Sequence, residues 1–397
     1  MPWKECDFMS ERIKFISRLL DGEKMSDLCR EFEISRKTGY KILNRYKSEG
    51  LYGLSNKSRR PFNRPNQTHP LIEKMIVELR KAHPSWGAPK LKSYLERKNL
   101  SMTFPAISTV HSILERNNLI EKKKRRNKYR STGTNLRQAN EANDLWCADF
   151  KGQFKLGNQK YCYPLTITDQ YSRFLICCEA LENTRHLDSF DVFRNIFLKY
   201  GLPKAIRTDN GVPFASRSVY GLSELSVWWL RQGIEIERIE PGHPEQNGRH
   251  ERMHRTLKAE TTKPPCNNIL SQQERFDSFI DLFNNERPHQ GIDQKCPVDL
   301  FKEPKREFID YLPELNYPEH DLTRYIGKNG NLRFKNGKSI FISKSFKGEN
   351  LGLTEISDGL WKVSFMTYDI GFFDEEEFRL SEVDNPFIKK VLPMSPE

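Results

Sequence analysis

Apolar positions in the first 50 residues recur at helical spacing. Ile13, Ile16 and Leu20 fall at i, i+3 and i+7, and Met25, Leu28, Cys29 and Phe32 repeat the stripe after a polar break. Two short amphipathic helices are predicted. Ser35 then suits the N-cap of a third helix, in which Gly39, Leu43 and Tyr46 face inward while Arg36, Lys37, Thr38 and Lys41 face out. This order is a helix-turn-helix pattern over residues 1–50. Its basic and polar groups cluster at the start of the last helix, where such a motif reaches base edges in the major groove of DNA. The competing reading is a plain three-helix bundle with a solvated face.

Residues 51–67, rich in Gly, Pro and basic side chains, read as a linker. Over 68–120 three further stripes appear: Ile72, Met75, Ile76 and Leu79, then Leu91, Tyr94 and Leu95, then Val110, Ile113 and Leu114. They predict a second helix-turn-helix-like, DNA-binding module, with Ser108 capping its last helix. Trp86-Gly87-Ala88-Pro89 shows no periodicity of its own. Residues 121–140 form a basic linker in which Lys122, Lys123, Lys124, Arg125 and Arg126 are candidates to track phosphates.

At Trp146 the period changes from helical to alternating. Trp146–Phe150, Tyr161–Thr168 and Phe174–Cys178 read as an antiparallel meander of three strands. A helix carrying Phe190, Phe193 and Phe197 ends at Gly201, and Ala205–Thr208 is a fourth strand. A helix with Leu222, Leu225 and Trp229 closes at Gly233, Ile234–Ile239 is a fifth strand, and Pro244 opens a last helix. A mixed five-stranded α/β core over 141–300 is expected. After a linker at 301–320, short strands with turns at Asn329-Gly330, Asn336-Gly337 and Asp358-Gly359 predict a small β-barrel over 321–397. The fold class is multidomain α+β.

Charge then narrows the partners. Lys and Arg number 65 against 53 Asp and Glu, a net +12, which points to a polyanion such as nucleic acid. No apolar run reaches 18 residues and the N-terminus lacks the apolar core of a signal peptide. A soluble, cytoplasmic, nucleoid-associated protein with no membrane partner is therefore expected. The eight cysteines contain no Cys-x-x-Cys pair, so they read as reduced, mostly buried thiols.

Carboxylates supply the candidate chemistry. Asp149 closes the first strand of the core and Asp209 the fourth, and in a mixed sheet those strands can lie side by side. Asn210-Gly211 gives Asp209 a sharp exit turn. A third acid should come from the helix after the fifth strand, which offers Glu245 and Glu251. Six residues is about 600° of helix, so only one of them can join the site. His243, His250 and His254 lack the Glu spacing and the cysteine pair of familiar zinc motifs, so zinc is not expected.

Trp146 to Gly152, Asp209-Asn210-Gly211 and Pro241 to Arg252, with Asn284 to Gln290 and Pro297 downstream, resemble the DDE transposases of bacterial insertion sequences, whose core is of the retroviral-integrase type. The resemblance covers most of the chain. It implies a ribonuclease H-like core, an SH3-like C-terminal barrel, and Asp149, Asp209 and a Glu as catalytic metal ligands. In the simplest family spacing 35 residues separate the second acid from the third, which fits Glu245. The family's Asn-Gly motif instead selects Glu251, with 41 residues between. The motif is followed here. Arg255 and Lys258, at i+4 and i+7 from Glu251, then lie on the acid's own face where a DNA phosphate would run.

The implied reaction uses two Mg²⁺ ions per site, with Mn²⁺ able to substitute. It frees 3′-hydroxyls at transposon ends and joins them to target DNA. The implied partners are transposon-end and target DNA, further copies of the chain in a multimer, and candidate helper proteins. The rival readings are a sequence-specific DNA-binding regulator on an inactive core, and a metal-dependent nuclease.

Overall fold

The structure is a computed structural model and describes residues 8–58, 67–120, 136–216, 221–240, 243–334 and 337–382, apart from the side chains of Pro244, Glu245 and Glu382. Lys122 to Arg126 lie outside the described residues. The chain divides into two compact units, Met1–His69 and Pro70–Glu397.

In the first unit, helices α1 (Phe8–Leu20), α2 (Met25–Glu31) and α3 (Arg36–Glu49) surround Phe15, Ile16, Leu28 and Cys29. Ser35 caps α3, its hydroxyl accepting from the Thr38 amide at 3.1 Å. Gly39 is needed where α3 crosses α2, because a Cβ there would meet the Cys29 and Met25 sulfurs at 2.7 and 2.8 Å. Two expectations are corrected. Ile13 and Leu20 are 40% and 61% exposed, since the buried stripe of α1 centres on the adjacent pair Phe15 and Ile16. The linker also does not start at residue 51, because Gly50–Leu54 forms a 3₁₀ turn that buries Leu54 in this core. Arg12 secures that turn by donating to the Leu54 carbonyl at 2.6 Å.

The second unit begins with α4 (Pro70–Ala82), α5 (Ala88–Lys98) and α6 (Ile107–Arg116). Trp86 is fully buried at their centre and stacks on His83, with ring centroids 4.1 Å apart. That explains an aperiodic segment: Trp86 plugs the core, and Gly87 leads straight into α5. Ser108 is not the cap of α6, which starts one residue earlier behind Ala106 with no side-chain cap. The module docks on the following domain through Arg97, which holds both Asp299 oxygens at 2.5 and 2.9 Å, and through Lys98, 2.9 Å from Glu286.

The core contains β1 (Leu145–Phe150), β2 (Phe154–Lys155), β3 (Tyr161–Asp169), β4 (Leu175–Leu181), α7 (His186–Tyr200), β5 (Ala205–Thr208), α8 (Glu224–Arg231), β6 (Glu235–Arg238), α9 (Gly248–Thr261) and α10 (Ile269–Asp281). The sheet runs β4-β3-β1-β5-β6, with the short β2 continuing β1 along the same edge of β3. β1, β3 and β4 are antiparallel, and β1, β5 and β6 parallel. This is the mixed sheet expected.

Alternation along β3 sorts its two faces. Leu165 and Ile167 join Phe193, Phe197 and Trp229 of α7 and α8 in one cluster, while Thr166 and Thr168 turn to α9 on the other side. Pro244–Asn247 forms a 3₁₀ turn and α9 starts only at Gly248, so Glu245 and Glu251 occupy different elements rather than one helix.

Residues 301–320 do more than link. Phe301 stacks on Phe174 at 4.1 Å, and Arg306 donates to the carbonyls of Gln232 and Pro203 at 2.5 and 3.2 Å. Beyond them lie β7 (Leu322–Tyr325), β8 (Asn331–Arg333), β9 (Ser339–Phe341), β10 (Asn350–Ser357), β11 (Leu360–Phe365), β12 (Tyr368–Asp374) and β13 (Arg379–Glu382). They form an antiparallel sheet, β13-β12-β11-β10-β7, and a β8–β9 hairpin. Phe334 at the hairpin's end packs on Trp361 and Phe373 with centroids 5.4 and 5.1 Å away. This β domain shares one apolar cluster with α7 and α8, and the Ser345 hydroxyl donates to the Leu222 carbonyl at 2.6 Å.

Seven described cysteines are free, six of them buried. Among the described residues no helix is long and apolar enough to cross a membrane.

Candidate active site

Register brings the two aspartates together. Leu145, Trp146 and Cys147 of β1 pair with Ala205, Ile206 and Arg207 of β5 in parallel, and Asp149 and Asp209 each stand two residues past the last pair. Parallel strands keep equal offsets level, so both carboxylates emerge at the same end of the sheet. Past Asp209 the chain turns away: the Gly211 amide donates to Asp209 Oδ1 at 3.0 Å, and the Asn210 side chain donates to the Ile239 carbonyl at 2.8 Å. A Cβ on Gly211 would come within 3.0 Å of the Asp209 carboxylate, so glycine leaves room for that group.

Glu251 sits in the first turn of α9. Its charge is felt at Asp149, whose carboxyl is pushed up to about 7 by burial first, then by Asp209, with Glu251 adding to the rise and Lys151 opposing it. The three acids predicted from sequence thus share one electrostatic neighbourhood. Lys151 was not singled out by its sequence context. Its ammonium is pushed below the usual lysine range by burial and then by Lys258, while Asp149 pulls it back.

Beneath the acids a buried polar network fixes α9 to the sheet. Thr166 Oγ1 donates to the Asp149 carbonyl at 3.0 Å and lies 2.7 and 2.6 Å from Nε2 of His250 and His254. His250 Nδ1 lies 2.9 Å from Thr168 Oγ1. One proton arrangement satisfies every partner. Both imidazoles donate from Nε2 to Thr166, and Thr168 donates to His250 Nδ1. The Nδ1 lone pair of His254 is then left facing Asp149 Oδ2 at 3.8 Å. That approach is not an ion pair, because burial holds both imidazoles neutral, pushing His250 down to about 3 and His254 to about 2. Asp149, His250 and His254 offer ligand atoms within 4.8 Å of one another, a grouping that the absence of a zinc motif had led us not to expect. The signal available in the sequence was His at i, i+4 opposite Thr-x-Thr on a strand.

The remaining predicted residues are dispersed. Arg255 and Lys258 are exposed on α9, and Arg36, Lys37, Thr38 and Lys41 are exposed on α3 in the first unit. The backbone of Glu245 lies in the 3₁₀ turn ahead of α9.

Comparison with known proteins defines the class. Residues 139–244 and 232–297 match integrase core domain families, 11–62 a helix-turn-helix domain and 38–114 a homeodomain-like domain. The chain therefore joins helix-turn-helix modules to an integrase core. Over 290 residues it is 27% identical to an uncharacterised 39.2 kDa protein of insertion element IS476 from Xanthomonas euvesicatoria, covering 71% of this chain and 79% of the relative. It is 23% identical over 257 residues to an uncharacterised 31.7 kDa protein of insertion element IS407 from Burkholderia multivorans, covering 63% and 87%. The HTLV-2 integrase catalytic core domain, solved in complex with magnesium, is 15% identical over 42% of this chain and all of its own, with a TM-score of 0.33. The resemblance carried by the motifs is matched at this level: the chain contains integrase core and helix-turn-helix domains and is similar to proteins of insertion elements.

Proposed function

We propose that the protein is a DNA transposase that cuts the ends of its element and joins them to target DNA. The observation that carries this reading is the level pairing of Asp149 and Asp209 at the ends of β1 and β5, with Glu251 acting on the same carboxyl. Three carboxylates, of which Asp149 is raised to about 7 by burial and then by the other two, form a donor set of hard oxygens that suits Mg²⁺ or Mn²⁺. Asp149, Asp209 and Glu251 would hold two such ions. When bound, these activate the attacking oxygen and stabilise the leaving one.

The chain's own residues do the rest. Asn210-Gly211 keeps Asp209 clear of its loop, and the Thr166 and His254 network holds α9, and with it Glu251, against β1 and β3. Arg255, Lys258 and Lys151 position the phosphate. In the first step water attacks the phosphodiester at the element end and the bond from phosphorus to the 3′ oxygen breaks. In the second, the freed 3′-hydroxyl attacks a target phosphodiester and displaces a target 3′-hydroxyl. α3, with Arg36, Lys37, Thr38 and Lys41, reads end sequence, and Lys122 to Arg126 track phosphates. Joining two ends to one target calls for a multimer acting in the cytoplasm.

The test is a strand-transfer assay with labelled ends and Mg²⁺, comparing wild type with Asp149→Ala, Asp209→Ala, Glu251→Gln and Glu245→Gln. Joined product is expected from wild type and Glu245→Gln alone. Product surviving Asp209→Ala sinks the reading, and loss confined to Glu245→Gln moves the third acid.

A further inference from the structure

Cations gather on the other flank of α9. Counting 100° per residue from Glu251, Arg255 and Lys258 lie within about 40° of the acid, whereas Arg249, Arg252 and Thr256 lie about 100° to 160° away. That second face lines a cleft of about 310 Å³, with Arg255 at the edge it shares with the acid's face. Its charged walls come from four segments: Lys90 of α5, Arg173 between β3 and β4, Arg249, Arg252 and Arg255 of α9, and Arg287 beyond α10.

These cations outnumber their counter-charges. Asp169 is, among the described residues, the one carboxylate lining the cleft, and its oxygens are already taken by the Asn143 amide at 2.8 Å and the Ser172 amide and hydroxyl at 2.7 and 2.6 Å. Glu260 holds Arg287 at 2.6 Å. Arg249 and Arg252, among the described residues, reach only neutral carbonyls, of Gln170 at 3.3 Å and Gly248 at 3.1 Å. Among the described residues, Lys90 and Arg173 have no side-chain hydrogen bond or ion pair, although both are half-buried. Glu260 acts on Lys90 and Asp169 on Arg173 only at a distance, and half-burying cations without a direct partner is unfavourable. Lys90 is pushed down to about 8 by burial and then Arg287, and Arg173 to about 10 by burial and then Arg249 and Arg252.

The missing component is an anion with several acceptor oxygens. Five guanidinium groups and one ammonium favour phosphate, which accepts from planar forks, and the only apolar side chains among the described lining residues are Met253 and Phe283, both buried. We infer that this cleft grips phosphates of a DNA duplex away from the reacting one, so that DNA passes both flanks of α9. A helix with its side chains is about 10–12 Å across, and a duplex carries a charge every ~1.7 Å, so one duplex can reach both flanks. Because Lys90 belongs to α5, the same contact ties the second helical module to the core. The choice of DNA as the polyanion rests on the transposase reading.

The test is a salt titration of duplex binding by the full chain, comparing wild type with Arg173→Gln and with Lys90→Gln/Arg173→Gln/Arg252→Gln. The plot of log Kd against log salt should lose about 1 in slope for the single variant and about 2 to 3 for the triple. Removing like charges should leave the melting temperature unchanged or higher, which separates lost contacts from lost fold. An unchanged slope with wild-type binding intact overturns the inference and leaves the transposase reading standing. Failure of wild type to bind duplex at all overturns the reading beneath it, and with it the inference. If inorganic phosphate raises the melting temperature of wild type but not of the triple variant while the slope stays fixed, the cleft is a small-anion site and the DNA assignment falls.

Discussion

The two flanks of α9 gather like charges in contrasting ways. On one flank, short aspartate side chains are set by backbone register at the ends of β1 and β5, so their separation is fixed by the sheet. On the other, long cationic side chains converge from four segments, and each can swing by ångströms. The first arrangement suits chemistry, where a small misplacement is expensive in rate, and the second suits grip, where DNA must slide into register. Helix α9 separates them, and its rigidity depends on the buried Thr166, Thr168, His250 and His254 network between.

The largest effect should come from the fixed side. Asp209→Ala should reduce joined product by roughly 10³-fold or more, the several kcal/mol a lost metal ligand implies. It should also let the Asp149 carboxyl fall back from about 7, since Asp209 is its main charged perturber. A carboxyl titration by NMR that shows no fall would mean the two groups are not held level.

Next comes the anchor between the flanks. Thr166→Val keeps the shape and removes the acceptor shared by two imidazole N–H groups. Each orphaned buried donor costs about 1–3 kcal/mol, so a loss of about 2–6 kcal/mol in chemical denaturation is expected, with Thr166→Ser restoring most of it. Equal stability of the Val variant and wild type would show that α9 is held by its apolar contacts alone.

A smaller effect concerns the charge of Asp149 itself. A carboxyl raised from its ordinary 3.8 to about 7 in the fold contributes stability below pH 3.8 and loses it as pH climbs to about 7, because the ionised form is disfavoured. Metal-free Asp149→Asn should therefore match wild type at low pH and exceed it above pH 7 by a few kcal/mol. A stability difference that does not change with pH would sink the crowding account. Added Mg²⁺ should narrow the gap by stabilising wild type.

How far the sequence exposes this arrangement depends on what each feature needs. β1 is legible because it writes a mostly apolar run that ends in an acid, and β5 because Ala205–Thr208 is short and strand-apt and runs into Asp209, with Asn210-Gly211 marking the turn. β10 was not legible, because Asn350 and Gly352 break its pattern. Gly352 is there since a Cβ would strike Tyr317 and His320 at 2.6 and 2.5 Å, a long-range contact invisible to local periodicity. Ile13 and Leu20 fitted a stripe by spacing, but the α1 face is decided by what α2 and the Leu54 turn cover. The Thr and His network escaped for a related reason: its members come from β3 and α9, more than 80 residues apart. The cleft was scattered likewise, over Lys90, Arg173, α9 and Arg287.

The smallest effect should come from the first unit, whose cations are neither crowded nor buried. Arg36, Lys37 and Lys41 are exposed on α3, with Ser35 and Thr38 fixing the helix start. Nothing in the fold strains them, so Arg36→Gln should leave the melting temperature unchanged. If Arg36 reads a base edge, binding to the element's own end should weaken roughly tenfold while binding to a scrambled duplex changes little. If it touches only phosphate, both duplexes should weaken equally and the salt slope should fall by about 1, as for a residue of the cleft. Competition anisotropy with the two duplexes decides between these outcomes. The first outcome gives the two cationic surfaces different tasks, α3 selecting sequence and the cleft holding backbone. The second would make them redundant, and the contrast between sequence reading and backbone grip would then have to be sought elsewhere on α3.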